Sequence, residues 1–422
     1  MSELKRTVLY ETHRQLGARM APFGGWEMPL WYASTREEHR AVRSAAGLFD
    51  VAHMGIFEIS GDQAAAFLDR VSTNDVSRLA VGRAQYSFML NDVGDVIDDI
   101  MIYRLEPERY MVVVNAANTE KDWAWLQAQR ERLSPELTLR DLKHPSSGDA
   151  QRVDLALQGP QALNLLTRLL DASTPLADLP YTGVMRASLA GHDVFIARTG
   201  YTGERIAYEL FVHPDHAAAL WQLLLATGAD LGVRPCGLAA RDSLRTEAGL
   251  PLYGHELGGP LNLAPYHIGF DNFVKLDKPS PFIGREAYAE KAARNTLGMV
   301  RFRVNERGVR PPKLGDPVLD RRGRVVGTVT SCAADGEGVL IGMAVVERAF
   351  TSEGTRSTSC LCPSQCPSHS SPSRRSATAR SCPSRSPCCR ASPCAPSRKQ
   401  AHNTQLLPPT VHHPYNRPRK PP

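Results

Sequence analysis

The chain changes character at about Gly354, and that change limits how much of it can fold around a core. Residues 354–422 contain no Asp or Glu and eleven Lys or Arg, set among Ser, Pro and Cys without hydrophobic periodicity. Such a segment cannot bury enough apolar surface to offset the entropy of ordering it, so it reads as a disordered, low-complexity tail. It also disguises the charge of the rest. The whole chain has 50 basic and 44 acidic residues, a formal +6, but only 39 of the basic residues and all 44 acids precede the break. The body is therefore close to −5, and the basic pI belongs to the tail. Arginines there could meet nucleic acid only by charge, without specificity, so no nucleic-acid partner is expected.

Cysteine divides at the same place. Cys236 and Cys332 lie in the body, and seven more crowd the tail. A body with two cysteines has no disulfide framework and fits a reducing cytoplasm. In the tail, Cys360, Cys362 and Cys366 lack a second paired knuckle, so no metal is expected. Residues 1–5 lack the apolar core of a signal peptide, and no apolar run approaches the roughly 18 residues of a membrane span. About 350 body residues suffice for more than one core. Strand and helix signals mix without the regular alternation of a doubly wound sheet, which places the body in the α+β class.

Residues 91–99 carry the sharpest chemical signal. Tyr86, Ser87, Phe88, Met89 and Leu90 read as a strand, Asn91 to Asp95 supply turn formers, and residues 96–103 read as the returning strand. The hairpin puts Asp98 and Asp99 side by side on an apolar strand. Successive side chains point to opposite faces, so at most one of them looks into any given pocket. A carboxyl sheltered there has a raised pKa and handles protons near neutrality, or stabilises positive charge while ionised. The plain alternative is a solvated pair that discourages edge pairing.

Residues 236–249 read as a helix closed by Gly249, with Arg241 and Arg245 one turn apart. Like charges at that spacing repel, which an anion between them would relieve; Asp242 pairing with Arg245 at i+3 is the structural alternative. His213 and His216 have a metal-like spacing, but Pro214 and Asp215 mark a helix start. His53 reads as a satisfied structural histidine.

Eight segments, in order, resemble the aminomethyltransferase, or T-protein, family of the glycine cleavage system. They begin with Phe23-Gly24-Gly25-Trp26-Glu27-Met28-Pro29-Leu30 and Gly47-Leu48-Phe49-Asp50-Val51-Ala52-His53-Met54, where the family usually has Ser at Ala52. The hairpin with Ile97, Asp98 and Asp99 follows, then Val113-Val114-Asn115-Ala116-Ala117-Asn118 and Leu157-Gln158-Gly159-Pro160. Arg198-Thr199-Gly200-Tyr201-Thr202-Gly203-Glu204, residues 236–249, and Phe282-Ile283-Gly284-Arg285-Glu286 complete the series. The family-like sequence stops in mid-domain near Gly354, and a shifted reading frame accounts for that most simply.

The resemblance implies a multi-domain folate-binding fold. Two interwoven α+β subdomains would occupy residues 1–275, an incomplete β-barrel residues 276–353, and the tail residues 354–422. It implies transfer of the methylene of an aminomethyl group, carried on the lipoyl arm of H-protein, to tetrahydrofolate, with ammonia released. Other glycine cleavage components become expected partners. By the match, Asp99 is the catalytic aspartate with Asp98 beside it, and Tyr86, Asn115, Arg241 and Glu209 are folate contacts. One residue more than usual separates Glu204 from Glu209, which leaves Glu204 as the alternative. Two rivals share the scaffold. A folate-dependent demethylase is kept open by the unusual residues 255–275, and a folate-binding iron-sulfur assembly factor is disfavoured because its Lys-Gly-Cys-Tyr run is missing.

Overall fold

In the computed structural model, residues 3–306, 308–352, 356–360 and 401–407 are described, the last two segments as backbone strands. Two sheets are built from interleaved stretches of chain. The six-stranded sheet runs Val184–Leu189, His192–Ala197, Ala207–Val212, Val153–Gln158, Ala46–Asp50, Val233–Pro235. After Ala46–Asp50 the chain leaves it to build a five-stranded sheet, ordered Arg83–Leu90, Val96–Glu106, Arg109–Val114, Gly55–Ser60, Thr138–Asp141. It then returns at Val153. Pairing that is antiparallel except where Val233–Pro235 runs parallel to Ala46–Asp50, with helices on the outer faces, gives an α+β architecture, as the mixed patterning implied.

Three apolar clusters hold the sheets. Leu220, Trp221 and Leu224 of helix Pro214–Thr227 pack on Leu155, Leu210 and Val212 of the six-stranded sheet. Leu126 and Trp123 of helix Thr119–Leu133 cover Phe57, Ile59 and Val112 of the other. Between the sheets, Ile56, Tyr103 and Met111 meet Phe195, Ala197 and Phe211. Burying a side chain of this size contributes about 1.5–3 kcal/mol, so the inter-sheet cluster fixes two otherwise separate walls at a defined spacing.

The acid-bearing hairpin is Arg83–Leu90 paired with Val96–Glu106. Its turn closes through Gly94 N–H to Asn91 O at 2.9 Å and Asp95 N–H to Asn91 Oδ1 at 2.9 Å. Gly94 has φ +76°, and a Cβ there would sit 2.6 Å from the backbone nitrogen of Tyr288, so helix Arg285–Ala293 can press on the turn only because glycine occupies it. The register slips where Met89 faces Asp98 and Leu90 faces Val96. Ile97 is thus an extra residue, a bulge that sets the direction of the next two side chains.

The C-terminal sheet is a closed barrel of Leu297–Val304, Leu340–Glu347, Val325–Ala334, Pro317–Leu319, Arg356–Cys360 and Ala401–Leu407. Its last two strands come from beyond residues 276–353. Arg356–Cys360 pairs with Pro317–Leu319, and Ala401–Leu407 pairs with Leu297–Val304. Strand pairing draws on backbone N–H and C=O groups, so short segments without an apolar pattern can still fill two edge positions. The disorder expected for the rest of the tail falls on residues 361–400 and 408–422, outside the described residues.

Candidate active site

A cavity of about 750 Å³ opens where the two sheets, helix Leu238–Ala248 and the barrel meet. Asp99, Tyr86, Asn115 and Tyr103 come from the five-stranded sheet and its edge, Asp154 and Glu209 from the six-stranded sheet, and Arg241 from the helix. Every sequence-predicted folate contact therefore lies on one wall or another of a single space. Of the two acids, Asp99 lines it.

Asp98 points the other way, as strand alternation requires, and is fully buried. Its Oδ1 accepts hydrogen bonds from Asn115 Nδ2 at 2.9 Å and Asn118 Nδ2 at 2.5 Å, and its Oδ2 accepts from Asn115 N–H at 2.9 Å. Lys121 Nζ donates to Asn118 Oδ1 at 3.0 Å and to Ile97 O at 2.6 Å, which turns the Asn118 amide toward Asp98 and pins the bulge. Asn115 Nδ2 also reaches Asp99 Oδ1 at 2.9 Å, so one amide spans both acids. Tyr86 donates to Asp99 Oδ2 at 2.8 Å.

Burial, then the neighbouring Asp98 charge, pushes the Asp99 carboxyl up to about 7, against the pull of Tyr86 and Asn115. Burial also raises Asp98, although its hydrogen bonds favour the charged form. Behind it, Asp122 is pushed up to about 10 by burial, by the Asp98 charge and by a hydrogen bond to the Asp98 carboxylate. Three carboxyls thus run from the cavity through the strand to the helix. A proton shared among them costs less than three adjacent negative charges.

At the other sheet, Glu209 Oε2 accepts from Tyr103 Oη at 2.8 Å and from Thr199 Oγ1. Arg241 stacks over Tyr201 at 5.1 Å, and its Nη1 is buried without a hydrogen-bond partner. Glu204, the alternative, pairs with Arg43 at 2.6 Å and is not part of the cavity lining. The anion site imagined between two arginines is absent too. Arg245 is fully buried and committed to Asp242 at 2.7 Å, Glu256 at 2.7 Å and Ser331 Oγ at 2.7 Å, which is the i+3 alternative extended into the barrel. His213 caps helix Pro214–Thr227, its ring accepting from Asp215 N–H at 3.3 Å.

Two lining residues escaped the sequence reading. His53 is not a satisfied histidine: its Nδ1 is buried without a partner, and burial, with Arg241 and Lys143 nearby, holds the ring down at about 4, hence neutral at physiological pH. Asp154 is the other, a lone acid in the apolar strand Val153–Gln158. The argument that singled out Asp99 applies to it equally.

These walls define a class of protein with a small-molecule site between interleaved sheets, a sheltered acid at one side and a carboxylate and guanidinium at another. The family profile described as GCVT N-terminal domain matches residues 9–278. The aminomethyltransferase of Symbiobacterium thermophilum is 49% identical over 330 residues, covering 78% of this chain and 85% of that protein. That of Saccharopolyspora erythraea is 43% identical over 357 residues, covering 84% and 93%. Among solved structures, glycine cleavage system aminomethyltransferase T from Bartonella henselae superposes with a TM-score of 0.78 at 29% identity, covering 97% of this chain and 99% of that one. The chain belongs to the aminomethyltransferase family of the glycine cleavage system.

Proposed function

We propose that this chain transfers the methylene of an aminomethyl-lipoyl carrier to tetrahydrofolate, releasing ammonia and the dihydrolipoyl carrier, with Asp99 as the catalytic carboxyl. The observation that carries the reading is Asp99 lining the same cavity as Glu209 and Arg241, fixed by Tyr86 and Asn115. Glu209 suits the amino and ring N–H donors of a pterin, and the unpartnered Arg241 Nη1 suits a carbonyl or carboxylate. The residues present therefore fit the substrate.

The chemistry asks the protein to hold a ring nitrogen against the aminomethyl carbon, exclude water, and stabilise cationic iminium character as ammonia departs. Positioning supplies much of this. A carboxyl that titrates near 7 can take the proton that the attacking nitrogen loses, and once ionised it lies against the developing cation. Asp98 acts from behind as support, through the shared Asn115 amide. The lipoylated H-protein is the proposed donor partner, and the cytoplasm the proposed compartment. In support of the latter, Cys236 and Cys332 are free, and among the described residues no helix is long and apolar enough to cross a membrane.

Titration of the full chain with tetrahydrofolate, followed by an assay of methylenetetrahydrofolate formed from aminomethyl carrier, tests the reading. Asp99→Asn is expected to lower turnover by roughly 10²–10⁴-fold while tetrahydrofolate still binds. Near-full activity in that variant, or turnover with methylamine donors in place of the carrier, would overturn it.

A further inference from the structure

Asp154 occupies an unusual place. It lies on Val153–Gln158, an inner strand of the six-stranded sheet, and is 2% exposed. In the register with Ala207–Val212, Ala156 faces Glu209 and Asp154 faces Phe211, so Asp154 and Glu209 are diagonal neighbours on one face. Both line the cavity, as does Arg241 from helix Leu238–Ala248. Asp154 Oδ1 is buried with no hydrogen-bond partner. Arg241 Nη1 is likewise unclaimed, while Glu209 already receives two hydroxyl donors on one oxygen.

A buried carboxyl oxygen left without a partner costs free energy, typically about 1–3 kcal/mol for the desolvated group. An apolar residue would sit more stably here, between Val153, Leu155, Ala156 and Leu157, all buried in apolar clusters. The orphan atoms belong to two adjacent side chains and face a space large enough for a folate-sized ligand.

We propose that Asp154 is a further ligand-contacting residue of this cavity, reading a neutral donor–acceptor edge of the heterocycle alongside Glu209 and Arg241. The inference rests on the tetrahydrofolate reading above. Burial and the Glu209 charge raise Asp154 well above the ordinary carboxylate range, against the pull of Arg241 and a Leu210 backbone N–H. Both effects favour the protonated form, in which a carboxyl presents one O–H donor and one carbonyl acceptor side by side. That pattern complements a lactam or amide edge and not a second cation. Glu209 and Arg241 then supply the charged recognition, and Asp154 fixes which way round the ring lies.

The test uses the full chain with Asp154→Leu and Asp154→Asn, measuring the tetrahydrofolate dissociation constant, KM against kcat, and ligand-free melting temperature. Leucine is expected to weaken binding roughly three- to tenfold, the loss of one neutral hydrogen bond, with KM affected more than kcat. It is also expected to raise the melting temperature, because the unpartnered carboxyl oxygen is gone. Asparagine, which keeps a donor and an acceptor, is expected to recover most of the affinity that leucine loses. Should the leucine variant fail to accumulate, Asp154→Ala carries the same expectation for affinity. Unchanged affinity in the apolar variants overturns the proposal, as does an asparagine variant that loses as much as leucine. Failure of the unsubstituted chain to bind tetrahydrofolate would refute the functional reading instead, which keeps the two failures apart.

Discussion

Tyr86 donates its hydroxyl hydrogen to Asp99 Oδ2 across 2.8 Å, from the strand paired with Asp99 in the hairpin. The bond favours the ionised acid, whereas Asp98 on the far side of the strand opposes ionisation. Removing one or the other should move the titration in opposite directions. Tyr86→Phe should shift the acid limb of the kcat/KM–pH profile upward from about 7, and Asp98→Asn should shift it downward. Shifts of the same sign in both variants would contradict the assignment of that limb to Asp99.

The same carboxyls tie stability to pH. Asp99 and Asp122 stand at about 7 and about 10 in the folded protein, above an unfolded value near 3.9, so the folded state binds more protons through the intervening range. Their contribution is complete below about pH 4 and is lost as pH rises through the folded values. Thermal unfolding between pH 6 and 10 should therefore show falling stability from this source. Asp122→Asn, which cannot ionise, should flatten the alkaline part of that slope. An equally steep decline in the variant would show that Asp122 is not the group responsible.

Much of this site was legible because its residues fall in short motifs on strands. The alternation of Asp98 and Asp99 follows from the strand period alone, and Gly249 closes helix Leu238–Ala248 with φ +75°. The less visible part depended on contacts between distant residues. Glu204 and Glu209 could be told apart only by finding Arg43, 161 positions away, on Glu204. Arg245 is told from Arg241 by Glu256 and Ser331, which enclose it from 11 and 86 positions away. The Ile97 bulge, which aims both acids, leaves no mark in the hydrophobic pattern.

Arg245 and Glu256 form an ion pair with both side chains 1% exposed, joining the cavity helix to the segment that leads toward the barrel. Truncating one partner strands the other charge in a dry site. Arg245→Ala is expected to cost about 3–5 kcal/mol in denaturant unfolding, and the double variant Arg245→Met with Glu256→Leu to cost less than the single one. A single variant within about 1 kcal/mol of the unsubstituted protein would mean that water reaches the pair.

Gly94 meets two constraints at once, a left-handed backbone and the close approach of Tyr288. Gly94→Ala should destabilise by about 2 kcal/mol or more, combining roughly 1–2 kcal/mol for a non-glycine residue at positive φ with displacement of the helix. Because the turn leads directly into the bulge and Asp99, activity is expected to fall further than the unfolded fraction explains. Activity tracking the folded fraction would separate the turn from the site.

Ala401–Leu407 covers the edge of Leu297–Val304, and Arg356–Cys360 covers that of Pro317–Leu319. An unpaired edge presents a row of free N–H and C=O groups to other chains. A chain ending at residue 352 would leave both edges bare beside a core that includes Val300, Phe302 and Val318. Its melting temperature is expected to fall and its light scattering on warming to rise relative to the full chain. Equal melting temperatures and equal scattering would show that the barrel does not depend on these two strands, and the site helix, whose Arg245 reaches Ser331 of the barrel, would then be held without them.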